Sequence, residues 1–182
     1  MLMLPAIPAW NALHPLIVHF PIALLLVAPV FVLVGAALRP EKSRPFLLSA
    51  LLLMVLGTAA AYVAVGTGEA AGRLAERSLV INATLATHQH LAERTRMIFT
   101  ALTALFALIV LLPVGLNQRQ RLVTTAMPLL FLALYGAGVF NLVNTAHNGG
   151  RLVHEFGVHA VMPQSPLPPG TASSPPHQAE AE

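Results

Sequence analysis

The chain has 182 residues, of which 56% are hydrophobic and 9% charged, and its mean hydropathy is +0.73. A soluble domain carries roughly 25% charged residues, so a bilayer is the predicted solvent for most of this chain; ten Lys and Arg against seven Asp and Glu, spread among loops, exclude a nucleic-acid surface. The absence of cysteine excludes disulfides, Cys-ligated zinc, iron–sulfur clusters and covalent c-type haem, which leaves His, carboxylate and Met as ligands.

The N-terminal segment, residues 1–15 (MLMLPAIPAWNALHP), has no basic n-region and no small-residue cleavage motif. It reads as part of the mature chain, with the first helix as an anchor. Four apolar runs follow, at 16–38, 46–65, 97–116 and 122–146; about 20 residues cross the hydrocarbon. Pro21 and Pro29 interrupt the first run. Where neighbours satisfy the freed carbonyls, proline kinks a membrane helix without breaking it.

Two short connectors, 39–45 and 117–121, concentrate Arg39, Lys42, Arg44, Arg119 and Arg121. The opposite side spreads Arg73, Arg77, Arg94, Arg96 and Arg151 over longer segments. Because the positive-inside rule weights short loops, the connectors are predicted to be cytoplasmic and both termini periplasmic. The predicted fold is all-α, a four-helix up-down bundle spanning a bacterial inner membrane, occupying residues 16–161. The spanning helices carry no charge at mid-membrane, which argues against an ion or proton pump.

GTGEAAG (66–72) reads as a turn leaving the second helix and lacks the context of a phosphate loop. Residues 78–96 read as helix: Ile81, Thr84, Leu85, His88 and Leu91 share an apolar face, whereas His90 lies toward solvent. The third helix is therefore predicted to start near residue 79. Residues 149–161 (GGRLVHEFGVHAV) form an apolar segment able to fold back over the bundle mouth, and 162–182 form a Pro/Ser-rich tail predicted to be disordered. No internal repeat is visible in the letters.

Up-down topology puts all eight histidines at one end. His19 and His88 stand out because each has apolar helical neighbours, and ionisable groups at the edge of spanning segments often face a bundle interior. Helices one and three are parallel and diagonal, so their histidines are predicted to face each other across the core. That arrangement suits a b-type haem held by His19 and His88. It also suits a copper or zinc ion held by His14, His147, His154 or His159. The alternative is that these side chains only bond backbone and water. On the fourth helix, Asn141, Asn144 and Asn148 share a face. They supply either interhelical hydrogen bonds or, for Asn141 and Asn144, the lining of a cofactor site; Gly136 and Gly138 allow close approach. Thr58 and Tyr62 form a second, minor polar stripe.

The block LHPLIVHFPIALLL (13–26) and the closing block GGRLVHEFGVHAV (149–161) resemble a bacterial membrane family known as domain of unknown function 2231. ATLATHQHLAERT (83–95) resembles the family's middle block, in which a histidine starts the third helix. The resemblance covers about residues 13–161. It implies that His14, Pro15, His19 and Pro21 belong to the opening motif and that His88 or His90 is the middle histidine. Gly149, Gly150, Leu152, Val153, Gly157 and Val158 match the closing motif. His154 and His159 depart from it, standing where tyrosine and glycine are usual. Some relatives are fused to cytochrome c-like modules, which implies work in membrane redox chemistry.

The sequence thus predicts a multi-pass membrane protein with a periplasm-facing histidine site. Its leading function is haem-based electron transfer with cytochrome c-like or other redox partners in the membrane. A non-haem copper or zinc protein is the second reading, and a cofactor-free structural or assembly subunit of a membrane redox complex the third.

Overall fold

The computed structural model describes residues 8–75, 78–111 and 122–158. Among these residues there are four long helices and no strand: α1 (His14–Ala37), α2 (Pro40–Gly72), α3 (Leu79–Leu111) and α4 (Met127–His154). All four are long and apolar enough to cross a membrane. A 3₁₀ turn, Trp10–Ala12, leads into α1, and a π turn, Leu122–Ala126, leads into α4. α1 packs on α2 and α4, and α3 packs on the same two, so α1 and α3 are diagonal as predicted. The predicted tail and the connector at 117–121 lie outside the described residues, as do His159 and His177.

The prolines meet different surroundings: α1 is interrupted for one residue at Val18, between His14–Ile17 and His19–Ala37, just ahead of Pro21, where a kink alone was expected. Pro15 falls in the first turn of α1, where no N–H is needed. Pro29 is inside α1 and offers no N–H to the Leu25 carbonyl one turn back. The Tyr135 hydroxyl, from α4, donates to that carbonyl at 2.7 Å. This is the neighbour-supplied donor that an internal proline in a membrane helix requires.

Two predicted boundaries move. GTGEAAG stays helical, carrying α2 to Gly72, because its glycines are pressed against side chains: Gly68 against His14, and Gly72 against Gln89 and Leu85. Close contact of this kind offsets the roughly 1 kcal/mol that each helical glycine costs. Gly149 and Gly150 likewise continue α4 to His154. The chain turns only at Gly157, whose φ of 64° is left-handed, and Val158 N–H then bonds back to the Leu152 carbonyl at 2.9 Å. The third helix begins at Leu79, with the Ser78 hydroxyl accepting from Ile81 N–H at 3.2 Å.

The core runs down the bundle axis through Leu25, Val32, Met54, Phe99, Phe106 and Tyr135. Its layout reveals a repeat. A shift of 74 positions carries the buried set of α1, Pro21, Leu25, Ala28, Val32, Gly35 and Ala36, onto buried Thr95, Phe99, Leu102, Phe106, Ile109 and Val110 of α3. A shift of 81 carries Ser43, Leu47, Ala50, Met54, Gly57, Ala61 and Ala64 of α2 onto residues of the second hairpin that are also buried, from Thr124 to Thr145. Contacts repeat too. Gly57 faces Leu24 and Leu25, and Gly138 faces Ile98 and Phe99 at the same two shifts. The molecule is two copies of one helical hairpin, and the unequal shifts reflect the longer α3–α4 connection. Since α1 and α3 run the same way, the rotation relating the copies lies along the bundle axis.

Candidate histidine site

The repeat places two histidines in equivalent positions at one end of the bundle. In the first hairpin, the His14 Nδ1 lies 3.0 Å from the Ala64 carbonyl and 3.2 Å from the Thr67 hydroxyl, both on α2. In the second, the His88 Nδ1 lies 3.0 Å from the Thr145 carbonyl on α4. One turn beyond each carbonyl stands a glycine against the ring. A Cβ at Gly68 would come within 2.8 Å of His14 Cε1, and one at Gly149 within 2.9 Å of His88 Cε1. Each imidazole thus lies on the bare backbone of the helix that anchors it.

The chemistry of the anchor fixes the tautomer. A carbonyl oxygen can only accept, so Nδ1 carries the proton in both rings. In the neutral ring Nε2 then keeps its lone pair, as in histidines prepared for a metal. The Cε1 edge of each ring, with a nitrogen on either side, rests on the glycine of the anchoring helix. The two rings approach edge to face, with centroids 6.4 Å apart and planes at 76°. Both are half-buried.

Behind His88 the α3/α4 interface is polar. Asn141 Nδ2 donates to the Thr95 hydroxyl at 2.6 Å and to the Leu91 carbonyl at 3.3 Å. The Thr95 and Thr145 hydroxyls pair at 2.8 Å, and Thr145 also donates to the Asn141 carbonyl. Asn141 therefore ties α3 to α4 beneath the anchor of His88, the interhelical role weighed from sequence. Asn144 is exposed, and its carbonyl accepts from Asn148.

The other sequence candidates are dispersed. His19 is exposed on α1, and the ring meeting His88 is that of His14. The two histidines are five positions apart, more than one helical turn, so their side chains leave α1 in different directions, and it is His14 that reaches Ala64 and Thr67 of α2. His90, His147 and His154 are exposed. No group of three His, Asp or Glu side chains able to hold an ion occurs among the described residues. What sequence reading missed was the partnership of His14. Its signal was the motif step His14, Gly68, His88, Gly149, legible only once the hairpin repeat is known.

A model of the family described as "Predicted membrane protein (DUF2231)" matches residues 11–162. The chain belongs to that family. No curated protein and no solved structure is detectably similar to it.

Proposed function

We propose that this member of the DUF2231 family holds a b-type haem between His14 and His88 and carries electrons at the periplasmic face of a bacterial inner membrane. The observation that carries the reading is the pair of anchored imidazoles with centroids 6.4 Å apart. If both rings turned their Nε2 atoms onto one iron, bonds of about 2 Å and about 1 Å more to each ring centre would set the centroids about 6 Å apart, so ligation asks the rings to turn out of their edge-to-face contact with little change in separation. A porphyrin brings four nitrogens of its own, so two imidazoles complete the iron. A bare zinc ion needs three or four protein ligands.

Bound haem supplies one-electron chemistry, and six-coordinate iron favours electron transfer over reaction at an open position. The chain supplies the rest. The Ala64 and Thr145 carbonyls hold the ring protons on Nδ1, and Gly68 and Gly149 seat the rings. The redox partner in this reading is a cytochrome c-like protein reaching the histidine end. In this reading the cationic 39–45 connector lies at the opposite, cytoplasmic end, as the positive-inside rule favours.

The test is a visible spectrum of the purified protein, oxidised and reduced, after expression with ample haem. The expected result is the sharp reduced spectrum of six-coordinate b-haem, lost in His14→Ala and in His88→Ala and kept in His19→Ala. A colourless wild-type protein, or full haem loading in the His14→Ala, His88→Ala double variant, overturns it.

A further inference from the structure

The duplication creates two equivalent seams between the hairpins, α2 against α3 and α4 against α1, and the two have diverged. At the α4/α1 seam the positions facing lipid are bulky and apolar: Leu26, Val30, Leu33, Phe140 and Val143 are all exposed. Their counterparts at the α2/α3 seam, by the same shifts, are Thr100, Ala104, Ala107, Ala59 and Tyr62. Trading large side chains for alanine hollows this seam into an open groove of about 540 Å³.

The groove is graded in polarity along its length. At the end nearer the histidines, the Arg96 guanidinium lies 5.1 Å from the Tyr62 ring centre. Arg96 has no carboxylate partner among the described residues, where the ion pair is Arg151–Glu155. Next come paired hydroxyls: Tyr62 with Thr100 at 3.2 Å, then Thr58 with Thr103 at 2.9 Å. Deeper, the wall is alanine and valine. Arg96 and Tyr62 lie at the margins of the apolar runs, the level of the lipid headgroups, where Arg and Tyr anchor.

We propose that this groove is a binding site for one anionic phospholipid. The order of chemistry from its mouth inward matches that molecule. A phosphate meets the Arg96 cation, an ester carbonyl takes the Tyr62 O–H that otherwise donates to Thr100, whose own proton stays on the Arg96 carbonyl, and an acyl chain lies along the alanines. A phosphate at Arg96 is a charge-assisted contact. The opposite seam carries none of this chemistry at the matching positions, so it serves as the internal control. The proposal does not depend on haem.

The experiment is native mass spectrometry of the delipidated full chain re-exposed to phosphatidylglycerol, phosphatidylethanolamine of the same chains, or ubiquinone. Wild type should retain one phosphatidylglycerol at activation energies that strip phosphatidylethanolamine. Arg96→Gln should lower retention roughly tenfold and erase the headgroup preference. Ala104→Leu, at an exposed position outside the core, should fill the groove and lower retention of either lipid. Leu26→Ala, at the control seam, should change nothing. Unchanged retention in both Arg96→Gln and Ala104→Leu overturns the site, and tighter retention of ubiquinone than of phosphatidylglycerol overturns the ligand class.

Discussion

At the scale of single residues, the histidine site depends as much on two glycines as on the imidazoles. Gly68→Ala and Gly149→Ala each place a methyl inside van der Waals distance of a ring. The ring must rotate off its carbonyl or lift from the helix. Either variant should fold and insert, yet bind haem roughly 10–100-fold more weakly, the range typical when ligand-orienting contacts are lost. Haem titration into the apo variants measures this; wild-type affinity in both would mean the rings are not held where ligation needs them. Thr67→Val tests the same idea more gently. It removes one of the two acceptors near His14 Nδ1 and leaves the Ala64 carbonyl, so its effect should be smaller than that of Gly68→Ala.

At the scale of elements, hydrocarbon gives helices no hydrophobic reason to associate, so packing and interhelical hydrogen bonds carry the contacts. The bond from Tyr135 to Leu25 is the most consequential of these because proline created the need for it. Tyr135→Phe should cost about 1 kcal/mol or somewhat more, since it strands a buried carbonyl. Pro29→Ala restores an in-helix donor for that carbonyl, so the cost of Tyr135→Phe should shrink in the Pro29→Ala background. Unfolding of the four proteins in one detergent gives the coupling directly, and additive costs would show that the carbonyl finds another donor. The hydropathy runs announced all four helices, and the apolar face across 78–96 announced the start of α3. They could not announce that α2 and α4 continue past their glycines, because the reason lies in His14, Leu85 and Gln89 on other helices.

At the scale of the molecule, the repeat explains why the fold was legible and the site only half so. Diagonal helices and histidines at one end follow from counting spans. Choosing His14 over His19 requires knowing that position 14 corresponds to position 88, and the aligned letters hide it. Facing positions exchange small for large, Ala28 with Leu102 and Val32 with Phe106, so burial is preserved while identity is lost. Equivalent positions should answer alike. Gly57→Ala and Gly138→Ala both push a Cβ to 2.8 Å from a leucine. Each should destabilise the bundle by about 1–3 kcal/mol, to a similar extent, in thermal unfolding in micelles; a strong effect at one site alone would mean the hairpins differ in how they yield. Orientation is testable because the chain has no cysteine. Lys42→Cys should resist an impermeant maleimide in intact cells, and His147→Cys should react; the reverse pattern would place the histidines in the cytoplasm.

The bond between Tyr135 and Leu25 joins residues 110 positions apart. A ribosome delivers α1 to the membrane long before α4 exists. Throughout that interval the first helix carries a carbonyl that lipid cannot satisfy. That carbonyl is satisfied within the bundle only when the last helix arrives and supplies the hydroxyl. A nascent chain arrested before α4 should present α1 as an unfinished span, open to membrane quality-control proteases, and completion of synthesis would act as the step that closes the bundle.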